Sequence, residues 1–384
     1  MTEAHTITET LAHTPLHALH LARGAHMAPF AGYDMPAQYA AGVVAEHEHT
    51  RSAAGLFDVS PLGQAFLIGA DHASVAAFIE TMVAADIRDL APGHQRYTQL
   101  LNDDGGILDD LVVTRSADAD EDGVLMLVVN AARKDADCAH ISARLPGNVK
   151  LLRTDQRALI ALQGPQAAAV LVRHCRDVAD MAFMTARSAS FDGIDCLVSR
   201  SGYSGEDGYE ISVKSRSVGA IVERLLDDQR VRPAGHGARE TLRLEAGLCL
   251  YGQDIDETTS PVEAGLAWSI GKRRREEAGF AGATRVLAEL RDGPARLRVG
   301  IRPEGRAAAH AGAAIHSKDG AAVGTVTSGA FGPTIGGPIA MGYVPRTLAE
   351  PGTALVLAIH GEEFAASVVP LPFVPHRYHR AMPA

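Results

Sequence analysis

The sequence predicts an α+β protein of two or three domains with an all-β C-terminal part. Three observations predict it. Strand-like and amphipathic helical runs are mixed up to about residue 290. The chain of 384 residues exceeds the size at which one core usually stops growing. From Arg296 onward, short strands are punctuated by Gly and Pro. The expected division is 1–150 for a first α+β domain, which need not be continuous, 151–290 for a second, and 291–384 for a small β-barrel.

In chain order, Thr14-Pro15 supplies an N-cap and first turn for a short helix through Leu16 and Leu19 that Gly24 ends. Residues 43–54 read as a second helix closed by Gly55, followed by strands at 56–59 and 65–68. Asp71 caps a helix whose Val75, Phe78, Ile79 and Met82 make one apolar face. Residues 96–101 and 107–114 form a hairpin about Asn102-Asp103-Asp104-Gly105-Gly106, whose glycines allow positive φ. An acidic connection at 116–123 leads to a strand at 124–129, and Asn130 caps a helix that stops before Pro146-Gly147.

From about Lys150 a second block repeats the architecture without repeating the sequence. It has strands at 158–162 and 209–213, a helix opening at Gly164-Pro165, and alternation through Ile194, Cys196 and Val198. Helices at 217–228 and 239–247 follow, then a polar turn at Tyr251-Gly252-Gln253-Asp254. The final block has strands at 298–301, 322–328, 341–344, 354–359 and 363–369, with a tight Gly-rich loop at 328–338.

Composition excludes some classes of function. A formal net charge of −10 argues against general nucleic-acid binding and against a basic membrane-docking surface. No stretch is apolar enough to span a bilayer. The first twelve residues lack an apolar run and contain Glu3 and Glu9 but no Arg, which fits neither a signal nor a transit peptide. The expectation is a cytoplasmic protein with a loose start. Cys138, Cys175, Cys196 and Cys249 are scattered, so they imply reduced thiols rather than a zinc site or disulfide framework. His47 and His49 in Glu46-His47-Glu48-His49 diverge by about 200° on a helix, which reads as a solvated face rather than a metal site.

Two stretches carry chemistry. Asp109 and Asp110 stand in the return strand of the hairpin, where successive side chains face opposite ways. Either both are solvated turn acids, or one of them faces a pocket. Ser201-Gly202-Tyr203-Ser204-Gly205-Glu206-Asp207-Gly208 joins two strands. It is either an ordinary Gly-rich turn, or a loop that brings a carboxylate to the amidine-like edge of a flat heterocycle such as a pterin. Gly235-His236-Gly237 has Glu240 where a dinucleotide fingerprint needs its third glycine, so it reads as a helix cap.

Over nearly its full length the chain resembles the aminomethyltransferases of the glycine cleavage system, the T-proteins. The resemblance rests on Thr14-Pro15-Leu16 with Pro29-Phe30-Ala31-Gly32-Tyr33, on Gly55-Leu56-Phe57-Asp58-Val59-Ser60, and on Gly105-Gly106-Ile107-Leu108-Asp109-Asp110-Leu111. It continues in Gly202-Tyr203-Ser204-Gly205-Glu206, Gly237-Ala238-Arg239-Glu240-Thr241-Leu242-Arg243-Leu244-Glu245-Ala246-Gly247, Pro338-Ile339-Ala340-Met341-Gly342-Tyr343-Val344 and Pro372-Phe373-Val374-Pro375.

The resemblance implies a cloverleaf of two ferredoxin-like α+β domains and a β-barrel around a central folate cavity. Tetrahydrofolate would be the cosubstrate, and the aminomethyl donor would arrive on the lipoyl group of the acidic H-protein. By the same resemblance Asp109 is the catalytic aspartate and Glu206 the pterin-binding glutamate, with Arg239, Tyr378, Tyr203 and Tyr97 completing the folate site. No metal is implied. Pro61-Leu62 departs from the family's His-Met. Two competing readings are a stand-alone folate-dependent demethylase and a folate-binding iron–sulfur maintenance protein; the latter carries Cys where this chain has Gly202. Lys272-Arg273-Arg274-Arg275 reads either as a solvated loop or as a docking patch for the acidic carrier.

Overall fold

The computed structural model describes residues 10–380. The expected loose start falls mainly on residues outside them.

The hairpin forms between Gln95–Leu101 and Ile107–Arg115. Gly105 takes φ +80, and Asn102 Oδ1 accepts from the backbone N–H groups of Asp104 and Gly106, which closes the turn. These strands begin a five-stranded antiparallel sheet in the order Gln95–Leu101, Ile107–Arg115, Val124–Val129, Gly63–Ile68, Lys150–Arg153. Asp71 caps helix His72–Ile79 by accepting from Ser74 N, as expected. Val75, Phe78, Ile79 and Met82 join one buried cluster with Leu67, Leu100, Leu111 and Leu127 of the sheet.

The second sheet runs Thr185–Phe191, Ile194–Arg200, Gly208–Lys214, Arg157–Gln163, Ala54–Asp58, Val231–Pro233. Its first four strands repeat the plan of the first sheet: a meander whose third strand pairs back onto the strand that opens the block. Ala54–Asp58 thus sits in the second sheet and Lys150–Arg153 in the first, so the chain crosses the line expected at 150/151 in both directions. The C-terminal strands close into a six-stranded barrel around Val299, Ile301, Ile315, Leu357 and Val368. The α+β architecture with a terminal barrel stands.

Some local expectations shift. The first helix is His17–Ala22; at its entry the Thr14 hydroxyl accepts from Leu16 N at 3.3 Å while donating to Asp58 Oδ2 at 2.6 Å. Helix Val43–Ser52 stops before Gly55, which lies in a strand; a Cβ there would stand 2.2 Å from Thr50 Oγ1. Helix Lys134–Ser142 has no side-chain cap, because the Asn130 amide is engaged elsewhere. The loop expected at 328–338 shrinks to 333–336, since strand Ala322–Gly332 runs on to meet Gly337–Pro345. Gly235 does cap His236–Glu245. Among strands not expected is the hairpin His26–Phe30/Tyr33–Gln38, turned by Ala31 at φ 48 and Gly32 at φ 80. Both positive angles suit a two-residue hairpin loop.

Two charged stretches are corrected. Glu46 and His47 are buried rather than solvated. Glu46 accepts from the backbone N–H groups of Tyr39 and Gly235, and His47 bonds to Thr241 and Thr334 and lies 3.1 Å from Glu245. The basic run is helix Lys272–Glu277, neither a loop nor a patch of free charge. Arg274 is buried against the carbonyls of Glu80 and Gly279, Arg273 pairs with Glu80, Asp86 and Glu277, and Arg275 donates to the Ala267 and Ile270 carbonyls. Only Lys272 is left as an exposed, unengaged cation of the four among the described residues. The four cysteines are unbridged, three of them buried. No described helix is long and apolar enough to cross a membrane.

Candidate functional site

A cavity of about 1160 Å³ opens where both sheets, the barrel and the C-terminal segment meet. Strand alternation decides which hairpin acid reaches it. Asp110 is on the wall; Asp109, with no solvent exposure, is not. Asp109 points to the sheet's other side, where Oδ1 accepts from Asn130 Nδ2 at 2.9 Å and Oδ2 from Asn130 N at 3.0 Å. Asp110 accepts from Tyr97 Oη at 2.9 Å and from Asn130 Nδ2 at 2.7 Å. Burial, and then the neighbouring charge of Asp109, push the Asp110 carboxyl up to about 7. The geometry therefore moves the cavity-facing role expected of Asp109 to Asp110.

The second carboxylate on the wall is also not the one expected. Glu206 is buried behind the loop, where Oε1 lies 3.0 Å from Arg51 Nη1 and 3.4 Å from Arg377. Glu210, four residues on in strand Gly208–Lys214, faces the cavity. One of its oxygens accepts from Ser201 Oγ at 3.2 Å, and burial raises its carboxyl above the usual range while Arg239 opposes the rise. Sequence reasoning missed it by looking only within the glycine-rich loop; the signal was an acid inside the otherwise uncharged run Tyr209-Glu210-Ile211-Ser212-Val213.

The other expected residues do meet at the cavity. Tyr97, Tyr203, Arg239 and Tyr378 all line it. The Arg239 guanidinium lies 4.6 Å from the Tyr203 ring centroid and donates no hydrogen bond to protein among the described residues. Tyr203 donates to the Cys249 carbonyl, which fixes its ring. Tyr378 stacks on Phe183 at 3.9 Å, and Tyr97 on Trp268 at 5.7 Å, although Trp268 is 68% exposed. Burial brings the His236 imidazole on the same wall down to about 4, so it is neutral at ordinary pH. The site thus offers flat aromatic faces, the carboxylates of Asp110 and Glu210, and the Arg239 guanidinium without a protein acceptor among the described residues.

Local packing explains two sequence features. A Cβ on Gly202 would stand 1.9 Å from Gln163 Oε1. That amide side chain is fixed by the Ser201 carbonyl and the Ser204 hydroxyl, so no larger residue fits without moving the loop. Pro61 and Leu62 are on the cavity wall and present no polar side chain there. Away from the cavity, His13, His17 and Asp34 bring three potential metal ligands within 4.8 Å. The two rings are stacked and parallel, and their nitrogens cannot converge on one ion without turning.

Comparison with known proteins places this geometry. The family model for the GCVT N-terminal domain matches residues 16–274, and that for the glycine cleavage T-protein C-terminal barrel domain matches 296–375. The chain is 43% identical over 378 residues to the probable mitochondrial aminomethyltransferase of Schizosaccharomyces pombe, covering 97% of this chain and 95% of that one. Against the mitochondrial aminomethyltransferase of Gallus gallus the identity is 44% over 381 residues, with the same coverage. The crystal structure of glycine cleavage system aminomethyltransferase T from Bartonella henselae superposes with a TM-score of 0.89 at 42% identity, over 97% of this chain and 100% of that one. The curated relatives from yeast, chicken, Dictyostelium discoideum and Flaveria trinervia are all named mitochondrial, which overturns the expectation of a cytoplasmic protein.

Proposed function

The chain belongs to the glycine cleavage T-protein family and is an aminomethyltransferase; we propose that its cavity binds tetrahydrofolate and receives the aminomethyl group from the lipoyl arm of H-protein. The products are 5,10-methylenetetrahydrofolate, ammonia and the dihydrolipoyl carrier. The observation that carries the assignment of roles is the presence of two different carboxylates, Asp110 and Glu210, on one aromatic wall.

Glu210 accepts the parallel N–H donors of the pterin edge, for which its second oxygen is free of protein donors among the described residues. Tyr203, Tyr378 and Tyr97 supply flat surfaces for the ring system. Arg239 offers its unfilled donors to an anionic or carbonyl group of the substrate. Asp110 is the chemical carboxylate: it aims the attacking folate amine and stabilises positive charge developing on the transferred carbon. Its fixed bonds to Tyr97 and Asn130 hold that aim. A carboxyl poised near 7 exchanges a proton with little driving force at neutral pH, which suits it to manage the proton of the amine.

The test is formation of methylenetetrahydrofolate by purified protein given aminomethylated H-protein, with a control lacking the carrier. Carrier-dependent turnover supports the reading. Turnover only from another small donor would replace it with the demethylase reading.

A further inference from the structure

The acid that does not reach the cavity has a partner the sequence did not suggest. Asp137, one turn into the helix after Asn130, is 1% exposed. Its carboxyl is in hydrogen-bond contact with that of Asp109, and its Oδ2 has no donor among the described residues. Both oxygens of Asp109 already accept from Asn130. Two buried carboxyls in contact cannot both be anions, because nothing between them offsets their repulsion.

We propose that Asp109 and Asp137 share a single proton, with Asp137 the protonated donor and Asp109 the anion, and that this pair positions Asn130 and sets the charge felt by Asp110. The proposal rests on the reading of Asp110 as the chemical carboxylate. Asp109 fixes the backbone and amide N–H groups of Asn130, and the same amide nitrogen reaches Asp110 at 2.7 Å. The pair keeps one negative charge behind Asp110. Without the shared proton it would carry two, and Asp110 would not ionise at neutral pH.

The surrounding groups agree. Arg133, just before the helix, is the cation that faces Asp137, but its Nη2 is paired with Glu257 and its guanidinium lies over the Tyr251 ring. Tyr97, Tyr203 and Cys249 face Asp110 from the other elements, and burial holds all three protonated. No free cation among these replaces the proton. Burial and the Asp109 charge push the Asp137 carboxyl up to about 9, consistent with its being the protonated member.

Two variants separate the pair's proton from its charge. Asp137→Asn keeps a neutral donor to Asp109, so the acidic limb of kcat/KM against pH stays in place. Asp109→Asn combined with Asp137→Asn removes the charge behind Asp110, so the limb moves to lower pH by about one unit. A merely structural role for the pair would lower the rate without moving the limb. A limb that moves in Asp137→Asn alone, or stays fixed in the double variant, overturns the coupling.

Infrared difference spectroscopy reads the shared proton without turnover. In an Asp110→Asn background at pH 8, the carbonyl-stretch region of protonated carboxylic acids loses one component on adding Asp137→Asn. A region left unchanged by Asp137→Asn overturns the shared proton. Because this arm needs no substrate, its failure is distinct from a failure of the role given to Asp110.

Discussion

Replacing Asp110 by Asn should make the protein more stable at neutral and alkaline pH while abolishing most of its activity. Burial and the Asp109 charge raise the Asp110 carboxyl from 3.8 to about 7 in the folded chain. Below pH 3.8 the group is protonated in both states and burial carries no charge penalty. As pH rises toward 7 the unfolded chain loses the proton and the folded chain retains it, so stability falls with pH. Above 7 both states are ionised and the full penalty is in place. A rise of about three units, at ~1.4 kcal/mol each, puts that penalty at about 4 kcal/mol. Asn carries none of it. Asn does place a donor near Asn130 Nδ2 or Tyr97 Oη, which costs about 1–3 kcal/mol at every pH.

The informative quantity is therefore how the stability difference between variant and parent changes with pH, not its value at one pH. Urea unfolding at pH 5 and pH 8 should show the variant gaining on the parent by about 2–3 kcal/mol across that interval. Methylenetetrahydrofolate formation by the same variant should fall by ~10²-fold or more. A difference that is equal at the two pH values would refute the raised carboxyl, and with it the argument that Asp110 holds strained charge for chemistry.

Other substitutions divide the remaining assignments. Glu210→Gln turns one acceptor into a donor facing donors and should weaken folate binding by about 1–3 kcal/mol in calorimetry, without lowering the unfolding midpoint. Glu206→Gln should do the reverse, since it breaks the buried pair with Arg51; because Arg51 keeps Glu245, the loss of stability should fall short of the ~3–5 kcal/mol of a wholly orphaned buried charge. Arg274→Ser removes a buried guanidinium from the carbonyls of Glu80 and Gly279 and should lower the melting temperature markedly, whereas Lys272→Ser, at an exposed site, should leave it within about a degree. If Arg274→Ser folded normally and only slowed carrier capture, the basic run would regain its docking role. Arg239→Gln should raise KM for folate more than it lowers kcat, as loss of a binding contact does; an unchanged KM would remove Arg239 from the binding wall.

The architecture was legible because hydrophobic period and turn chemistry agree along most of the chain. Asp71 capped its helix, and Asn102 to Gly106 turned their hairpin where local sequence said they would. The roles of the acids were harder to read. A period of two tells that Asp109 and Asp110 face opposite ways but not which way, and an error of one residue swaps the cavity for the interior. Glu206 and Glu210 show the same limit at a loop: the glycines mark the turn, while the residue aimed inward lies in the strand that follows. Burial of Glu46, His47 and Arg274 depended on partners far along the chain, Gly235, Thr334 and Glu80 among them, which no local window contains. The hairpin at Ala31-Gly32 could have been read from its two-residue turn, but its alternation is interrupted by Pro29 and Pro36.

The central claim is that folate is met by Asp110 and Glu210, with Asp109 and Glu206 behind the wall. A crystal structure of the protein with tetrahydrofolate bound tests it most directly. The account predicts the pterin edge within hydrogen-bond distance of Glu210, its reactive amine beside Asp110, and Asp109 still bound through both oxygens to Asn130. A pterin edge on Glu206, or an Asp109 carboxylate turned into the cavity against the folate, would contradict it.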